Sequence, residues 1–274
     1  MPELPEVETV RRTLTQLVVG KQIENIQIAW AKMIKEPDDV DQFKTSLIGQ
    51  TIRSMGRRGK FLLFFLDDVV LVSHLRMEGR YGVYPKEEEV APHTHVIFEF
   101  TDGTELRYQD VRKFGTMHVF PKGEEEERLP LSQLGIEPFS QDFTVKHLKD
   151  GMKKTNRKIK VALLDQKTVV GLGNIYVDEA LYRAKIKPER LANSLSEEEY
   201  EHLHKHIVET LQEAVDLGGS SIKSYVNGQG EMGMFQQKLD VYGRKEEPCR
   251  ICGTPITKTV VGGRGTHYCM NCQK

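Results

Sequence analysis

Apolar residues that recur at helical spacing predict a first helix close to the N-terminus. They form one face, which a glycine closes after the last turn: Val7, Val10, Leu14, Leu17, Val18 and Gly20. Pro5 suits the first turn of a helix, and Glu6 and Glu8 suit its positively polarised end. Because this face must be buried, we expect the residues before it to be held in a fixed place.

The region that follows has the pattern of short β-strands separated by turns. In chain order, strands are predicted over residues 21–30, 61–66, 69–72, 94–100 and 104–108. The last two flank Asp102-Gly103, which is a strong hairpin signal. Such a series predicts a sandwich or barrel of antiparallel sheets, in a domain over residues 1–130.

The second half of the chain has helical patterns. After a linker over residues 131–139, which contains proline and glycine, we expect a helical module over residues 140–240. Asn174 is interpreted as the N-cap of one helix, because a short polar side chain can accept a free backbone N–H there. Ser196 and Glu199 have the spacing of a capping box and predict the start of the next helix.

The stretch over residues 217–237 is polar, rich in glycine and too long for a simple turn. It is interpreted as a binding loop, although a flexible connector explains the same composition nearly as well. Its candidate contact residues are Ser220, Ile222, Lys223 and Tyr225.

Pro2 and Glu3 give the N-terminus a candidate chemistry. If Met1 is removed, which a small second residue permits, Pro2 presents a secondary amine beside a carboxylate. A free α-amino group has a pKa of ~8, so part of it is unprotonated near neutral pH and can attack an electrophilic carbon. Glu3 is then placed to transfer protons. A simple helix start explains the same residues, and only the rest of the chain favours catalysis.

Two turns in the β-rich half place an apolar residue among polar ones. Met77 lies just before one glycine turn, and Phe114 follows Arg112 just before another. Exposed apolar tips of this kind wedge between stacked bases in proteins that bind the minor groove. Core packing explains each residue separately, but the presence of two such tips makes a wedge into DNA an explanation of comparable weight. Lys60 directly precedes a buried strand, and a surface lysine is the simplest explanation of it alone.

Four cysteines near the C-terminus are the most specific signal. They form two Cys-x-x-Cys pairs separated by sixteen residues: Cys249 and Cys252, then Cys269 and Cys272. This spacing predicts one tetrahedral, structural Zn²⁺ whose four thiolates leave no open position. Between the pairs, Arg264 lies among glycines at the tip of a predicted hairpin, a position suited to phosphate contact. Residues 241–274 are therefore predicted to form a zinc hairpin.

Composition narrows the class of protein only slightly. The chain has 274 residues, enough for two domains, and its formal net charge of −1 argues against binding nucleic acid through net charge alone. Its basic residues are nevertheless clustered, for example over residues 153–160. Without an apolar run long enough to cross a membrane or an apolar signal segment, we expect a cytoplasmic protein with no membrane partner. Nothing indicates an extensive apolar surface, so a monomer is expected.

Taken together, these motifs resemble bacterial formamidopyrimidine-DNA glycosylase over the whole chain. The resemblance is carried by the opening Pro-Glu-Leu-Pro-Glu-Val-Glu-Thr, Gly173-Asn174, Arg264 in the four-cysteine hairpin, Lys60, Met77, Arg112 and Phe114. It implies a multidomain α+β protein: an antiparallel β-sandwich with an N-terminal helix, a helix–two-turn–helix module and a C-terminal zinc β-hairpin. It also implies a bifunctional glycosylase and abasic-site lyase of base excision repair. Such an enzyme removes 8-oxoguanine and formamidopyrimidines from double-stranded DNA, at the bacterial nucleoid.

The resemblance also implies catalytic roles. Pro2 would attack the sugar, displace the base and form a Schiff base, with Glu3 as its acid/base partner. Lys60 would assist the first elimination or bind phosphate, and Arg264 would assist the second.

Contacts with DNA are implied as well. Met77 would fill the space of the everted nucleotide, Arg112 would contact the orphan cytosine and Phe114 would wedge into the stack. Further DNA contacts are implied at His74, His93, Asn174, Tyr242, Lys258 and Arg264. The loop over residues 217–237 would close over the damaged base.

Two other interpretations stay open. Glycosylases of the endonuclease VIII type, which prefer oxidised pyrimidines, typically begin Pro-Glu-Gly-Pro-Glu, so Leu4 argues against that type, as does the Arg112-Lys113-Phe114 set. A non-catalytic zinc-hairpin protein that binds DNA would explain the cysteines and the basic clusters. It leaves Pro2 and Glu3 without a role.

Overall fold

The computed structural model describes residues 1–220 and 233–274, which form two compact units. Among these residues, the first unit comprises Met1–Pro2, Glu6–Ser132 and Gly233. The second unit comprises Glu3–Pro5, Gln133–Ser220 and Met234–Lys274. The N-terminal segment therefore contributes to both units. The boundaries predicted above, at residues 130, 139 and 240, remain predictions.

The first unit is built on helix α1 and two β-sheets. In chain order its elements are α1 Leu4–Val18, whose first two residues belong to the second unit, β1 Ile23–Ile28, β2 Ile34–Glu36, α2 Val40–Leu47, β3 Ser54–Arg58, β4 Phe61–Phe65, β5 Val69–His74, β6 Arg80–Pro85, β7 Thr94–Phe100, β8 Thr104–Gln109 and β9 Thr116–Pro121. The strand order is β1-β7-β8-β6 in a four-stranded sheet and β2-β9-β5-β4-β3 in a five-stranded sheet. The pairs are antiparallel, except that β2 runs parallel to β9.

Both sheets and α1 contribute to one hydrophobic core. Val10 and Leu14 of α1 are buried together with Phe64 and Leu71 of the five-stranded sheet and Phe98 of the four-stranded sheet. Burying such a side chain contributes about 1.5–3 kcal/mol, so the apolar face of α1 anchors the start of the chain. Two separate sheets that share a core form a sandwich, which confirms that prediction and excludes the barrel.

The patterns predict some strands and miss others. β1, β4, β5, β7 and β8 lie within two residues of their predicted bounds. The patterns do not predict β2, β3, β6 and β9. Of these, β2, β3 and β6 lie at sheet edges, where one side of a strand has no neighbour and an apolar pattern is not required. The sequence of β3, Ser-Met-Gly-Arg-Arg, shows this absence of pattern most clearly.

The second unit contains helices followed by a hairpin. In chain order its elements are α3 Val145–Lys153, α4 Ile159–Leu164, α5 Asn174–Arg183, α6 Glu197–Asp216, β10 Thr257–Val261 and β11 Arg264–Tyr268. The capping box at the start of α6 is confirmed, since Ser196 and Glu199 each accept the backbone N–H of the other. β10 and β11 pair antiparallel around Gly262-Gly263, where both φ angles are positive, 57° and 75°. Arg264 is thus the first residue of β11 and lies just after the turn.

Candidate active site

The Glu3 carboxylate is held by three backbone N–H groups of the second unit. It accepts backbone N–H groups at the start of α5 from Gly173 (2.7 Å), Ile175 (2.8 Å) and Tyr176 (3.3 Å). These are N–H groups that a helix leaves without partners, and the helix dipole favours a negative charge beside them. Glu3 is 2% exposed. The carboxylate is therefore fixed in position and direction.

Asn174 is not the N-cap that its sequence context predicts. The cap residue is Gly173, without a side-chain bond of its own, and Asn174 is the first residue of α5. Glu3 satisfies the N–H groups that an Asn cap would have taken, so the Asn174 amide donates instead to the Gly265 carbonyl in β11 (2.9 Å). A side chain at residue 173 would overlap the Glu3 carboxylate, which explains why glycine is needed there.

Pro2 precedes this fixed carboxylate by one peptide bond. Its side chain is buried, in the first unit, and α1 begins two residues later, at Leu4. The Leu4 N–H donates to the Gly171 carbonyl (3.1 Å), within the second unit. The expectation that a buried helix holds the N-terminus in place agrees with these contacts.

Lys60 lies in the first unit, at the tight connection between β3 and β4. It is 6% exposed, so the interpretation as an ordinary surface lysine is wrong. Arg57 orders the connection by donating to the Gly59 carbonyl (2.9 Å) and to Glu8 of α1 (3.1 Å). Burial alone would raise the pKa of Glu8, but Arg11 and Arg57 outweigh it and hold that pKa below its usual value. An ion pair therefore connects α1 to the Lys60 connection.

The turns that carry Met77 and Phe114 meet at one buried tyrosine. A side-chain carbon at Gly79 or at Gly115 would overlap the Tyr108 hydroxyl, so each turn packs closely against that oxygen. Met77 is half-buried and Phe114 is 51% exposed, which agrees with two adjacent tips at the surface. Sequence reasoning missed Tyr108, because a tyrosine in a β-strand carries no signal of its own.

Asp110 shapes the turn between β8 and β9. Its carboxylate accepts the N–H of Arg112 (3.1 Å) and of Gly115 (2.8 Å), while its own N–H donates to the His93 carbonyl (3.0 Å). The Arg112 guanidinium lies 4.7 Å from the centre of the Phe114 ring. His93 is exposed and has a left-handed backbone, φ 63°. Three of the predicted DNA contacts, at His93, Arg112 and Phe114, thus lie at the turn that Asp110 shapes.

His74, the last residue of β5, is buried and neutral. Its Nδ1 accepts the Arg76 N–H (2.9 Å), and its ring packs edge-on against Phe61 at 4.5 Å. Burial lowers the pKa of His74 to about 3, helped by the charges of Arg76 and Lys60. With Nδ1 as an acceptor, the proton lies on Nε2, so the ring offers a neutral N–H donor.

A buried polar network ties α4 and α5 to the hairpin strand that starts with Arg264. The Lys160 ammonium donates to Asp178 (2.7 Å), to the Thr266 hydroxyl (2.8 Å) and to the Gly265 carbonyl (3.2 Å). The other oxygen of Asp178 accepts the His267 N–H (2.9 Å). Burial lowers the pKa of Lys160, against the attraction of Asp178. Sequence reasoning missed this pair, whose only signal is two charged residues on buried helix faces.

Tyr242 lies in the segment just before the hairpin of the second unit. The buried carboxylate of Glu179 accepts three consecutive N–H groups, those of Asp240, Val241 and Tyr242 (2.8–2.9 Å), and so fixes this segment before the hairpin. Burial raises the pKa of Tyr242, against a hydrogen bond with Asn174. Lys258 is exposed on β10, opposite His267.

The four cysteines meet as the zinc prediction requires. Their sulfur atoms all lie within 4.8 Å of one another, with Cys249–Cys272 at 3.8 Å and Cys252–Cys269 at 3.5 Å. Four sulfurs at ~2.3 Å from a tetrahedral Zn²⁺ would be about 3.8 Å apart, so the set fits that ion. The Tyr182 hydroxyl contacts the Cys249 sulfur (3.1 Å) from α5. Four thiolates with no open position make the zinc structural.

The predicted lesion loop is only partly within the described residues. Ile222, Lys223 and Tyr225 lie outside them. Ser220, at the start of the loop, is buried. The two sides of the loop base are joined by backbone hydrogen bonds, from Met234 to Leu217 (3.0 Å) and from Phe235 to Gly219 (2.9 Å).

Three protein-family models match the chain. Residues 1–117 match the formamidopyrimidine-DNA glycosylase N-terminal domain, residues 134–226 the H2TH domain of the same enzyme, and residues 246–274 a zinc finger found in FPG and IleRS. A β-sandwich, an H2TH module and a four-cysteine hairpin in one chain define a class of DNA glycosylases. The predicted fold is confirmed in all three parts.

Relatives narrow the class to one family. The chain is 75% identical to formamidopyrimidine-DNA glycosylase of Cytobacillus firmus and 72% identical to that of Halalkalibacterium halodurans, over the full length of both chains. It is 44% identical to Lactococcus lactis Fpg in a complex with DNA containing N7-benzyl-Fapy-dG, with a TM-score of 0.93 and complete coverage of both chains. A complex of the Lactococcus protein with abasic-site DNA matches equally well, over 99% of each chain. The chain belongs to the formamidopyrimidine-DNA glycosylase family.

None of the helices in residues 1–220 and 233–274 is long and apolar enough to cross a membrane.

Proposed function

We propose that this chain removes oxidised purines, 8-oxoguanine and formamidopyrimidines, from duplex DNA and cleaves the abasic site that results. The observation that carries the proposal is the Glu3 carboxylate, fixed by three backbone N–H groups one residue after Pro2. A nucleophile and a proton carrier next to each other must be held in position for catalysis, and here the protein holds one of them by non-local contacts.

The first step is nucleophilic substitution at the sugar. After removal of Met1, the Pro2 nitrogen forms a bond to C1′, and the bond between C1′ and the damaged base breaks. The base leaves with the bonding electrons and takes up a proton. The amine loses its proton, and opening of the sugar ring gives an iminium ion. Glu3 carries protons between these groups.

Two eliminations then follow from the iminium ion, which withdraws electrons from the sugar. In the first, a proton leaves C2′ and the C3′–O bond breaks; in the second, a proton leaves C4′ and the C5′–O bond breaks. Each phosphate leaves with the electrons of its C–O bond. Lys60 assists the first or binds phosphate, and Arg264 assists the second. Water finally releases Pro2, and the DNA is left with a one-nucleotide gap.

DNA contacts give access to the buried base. Eversion of a nucleotide costs a few kcal/mol, and insertion of Met77 with Phe114 into the vacated space offsets that cost. Arg112 contacts the orphan cytosine. Phosphate contacts come from His74, His93, Asn174, Tyr242, Lys258 and Arg264, and contacts of this kind supply most of the affinity.

The loop over residues 217–237, with Ser220, Ile222, Lys223 and Tyr225, closes over the damaged base. The protein acts as a cytoplasmic monomer at the bacterial nucleoid. Its domains are a β-sandwich over residues 1–130, a helical module over residues 140–240 and a zinc hairpin over residues 241–274, with a linker over residues 131–139.

The test is reduction with borohydride, which converts an iminium ion to a stable amine. We expect a covalent adduct with a duplex that carries 8-oxoguanine opposite cytosine, and a peptide map that places it on Pro2. Two controls share the fold: Pro2→Gly should trap less, because it leaves a primary amine, and a chain that retains Met1 should not trap through Pro2.

Other outcomes would redirect the proposal. Adduct formation only with an oxidised pyrimidine would favour the endonuclease VIII type of activity. That duplex belongs in the test because a complex of Lactococcus lactis Fpg with DNA containing an oxidised pyrimidine is also among the similar structures. DNA binding without an adduct on either duplex would favour the non-catalytic alternative.

A further inference from the structure

An exposed group of side chains beside the Arg112 turn has no part in the proposed reaction. It consists of Trp30, Lys32 and Lys113, and we call it the tryptophan patch. The Lys113 ammonium lies 4.2 Å from the centre of the Trp30 ring, and the Lys32 ammonium lies 5.6 Å from it. Both distances fall within the cation–π limit of about 6 Å.

The backbone holds the two sides of this contact. Trp30 packs half-buried against the hydrophobic core of the first unit, so its ring has a firm support. Lys113 has a left-handed backbone, φ 58°, and its N–H donates to the Asp110 carbonyl (3.3 Å). A non-glycine residue adopts this conformation only where its surroundings impose it. The turn that orients Arg112 therefore also orients Lys113.

The lysines of the patch have an aromatic neighbour, whereas Lys86 of the same unit has an acidic one. Within the described residues, neither Lys32 nor Lys113 forms a salt bridge. By contrast, the Lys86 ammonium lies 2.5 Å from the Glu99 carboxylate. An ion pair compensates the charge of a lysine, whereas an aromatic ring directs the ammonium and leaves its charge available to an anion.

A depression of ≈ 610 Å³ next to the patch is lined by Lys32 and Lys35 together with Asp38 and Asp39, so charges of both signs lie there. On the other side of the Trp30 ring contact, Lys113 directly follows Arg112 in the chain, so two positive charges are adjacent in that turn. The turn is therefore the part of the patch that is better suited to an anion.

We propose that the tryptophan patch binds phosphate groups of the DNA strand that carries the orphan cytosine. Lys113 makes the main contact, Lys32 adds to it, and Trp30 is a positioning residue. This inference rests on the proposed function, because Arg112, the residue before Lys113, is proposed to contact the orphan base. The patch reads no sequence; it holds the undamaged strand while the wedge opens the stack.

Salt dependence of binding tests the patch. The probe is a duplex with a tetrahydrofuran abasic analogue opposite cytosine, which binds without being cleaved. The slope of log K against log[salt] is negative, and loss of one phosphate contact reduces its magnitude, here called the salt slope, by about 0.9, with a roughly three- to tenfold weaker affinity at low salt. We expect this change for Lys113→Gln. Lys86→Gln removes the same charge from the ion pair with Glu99 of β7, and it should leave the salt slope unchanged.

A double-mutant cycle separates positioning from direct contact. Trp30→Ala should lower the salt slope in part, and Trp30→Phe, which keeps a ring, should restore most of it. Trp30→Ala combined with Lys113→Gln should lose less than the sum of the two single losses, because the ring acts mainly through that lysine and only in part through Lys32. Fully additive losses would overturn the positioning role.

Uncharged methylphosphonate linkages identify the strand. Placed beside the orphan cytosine, they should weaken binding by the wild type and leave the Lys113→Gln variant nearly unaffected. The same result on the damaged strand only, or an unchanged salt slope for Lys113→Gln, would overturn the inference.

Borohydride trapping separates failure of the patch from failure of the proposed function. At saturating protein concentration, Lys113→Gln should give a normal adduct. A normal adduct with an unchanged salt slope would reject the patch and leave the function intact. A lowered salt slope without an adduct from the wild type would support the patch and reject the chemistry at Pro2.

Discussion

The two units hold their candidate functional residues in different ways. In the first unit, Arg112 and Phe114 lie on an exposed turn that depends chiefly on the carboxylate of Asp110, two residues before Arg112. In the second unit, the candidate catalytic residue Glu3 and the structural residue Lys160 are buried, and their partners lie far away in sequence. The Glu3 carboxylate accepts the Gly173 N–H across 170 residues, and Lys160 donates to Thr266 across 106.

This difference has energetic consequences. A turn at the surface can exchange a lost hydrogen bond for one to water, so a change there should weaken function gradually. A buried charge cannot be compensated by water, so loss of its partner should be much more damaging. The two units should therefore respond to comparable substitutions with effects of different size.

The largest effect is expected at Gly173. In Gly173→Ala the new methyl group overlaps the Glu3 carboxylate and displaces it from the start of α5. Because a displacement of about 1 Å can reduce turnover about 10²-fold, we expect at least that loss with an 8-oxoguanine duplex in single-turnover assays. Gly103→Ala, where the added carbon meets open space but the backbone is left-handed (φ 82°), should lose some stability and keep normal turnover. Full activity of Gly173→Ala would show that a fixed Glu3 is not required.

The buried pair in the second unit should give the next largest effect. Asp178→Asn leaves the charge of Lys160 without its partner in a site with no exposure to solvent. Breaking a buried pair from one side costs about 3–5 kcal/mol, which urea denaturation would measure. Replacing both partners, as in Lys160→Met with Asp178→Leu, should recover only part of this loss, because it removes both charges but leaves the buried His267 N–H without its acceptor. If the single variant were as stable as the wild type, the pair would not hold the hairpin.

A smaller effect is expected at the exposed turn. Asp110→Ala removes the acceptor of two backbone N–H groups, which should lower the free energy of unfolding by about 1–3 kcal/mol. Binding to the abasic-analogue duplex should weaken, since Arg112 and Phe114 lose their fixed backbone. Borohydride trapping at saturating protein should persist. A greater loss of stability than in Asp178→Asn would reverse the contrast between the units.

The smallest effect near neutral pH is expected from His74. Burial lowers its pKa in the folded protein to about 3, helped by Arg76 and Lys60, whereas an unfolded histidine has a pKa of about 6.5. The unfolded chain thus binds the extra proton first, and the associated stability is present above pH 6.5 and lost as the pH falls towards 3. The slope is at most about 1.4 kcal/mol per pH unit.

His74→Gln removes this titration. Urea denaturation between pH 4 and 8 should therefore give a flatter pH dependence for the variant than for the wild type. His118, whose pKa burial lowers to about 4, titrates in the same direction and remains in both proteins. Identical slopes for both proteins would mean that His74 is not held neutral by burial.

How far the sequence predicts each site depends on how local its contacts are. The zinc ligands are predicted in full, because spacing within two short segments brings each pair of thiolates together and one hairpin joins the pairs. The Ser196 capping box is predicted for the same reason. Asn174 is misinterpreted because the group that caps α5 belongs to Glu3, which no local pattern connects with residue 173.

Lys60 is a second residue whose surroundings cannot be predicted from its local sequence. Its sequence neighbours, Arg57-Arg58-Gly59, are typical of an exposed connection, and on its own it would be taken for a surface lysine. The packing of that connection buries it to 6% exposure. Met77 and Phe114 occupy an intermediate position: each tip is visible in the sequence, but only Tyr108 shows that the two turns lie together.

By itself, the sequence determined the parts whose physics is local: the apolar face of α1, the strands with continuous apolar character, the capping box and the four-thiolate metal site. Its motifs also determined the family. The tertiary structure alone decided which polar groups share a buried environment, as in the Glu3 cradle, the Lys160–Asp178 network and the Lys113–Trp30 contact. The physical reason is that each of these contacts forms only after distant segments have packed, and its energy depends on the exclusion of water or on a rigid support that packing creates.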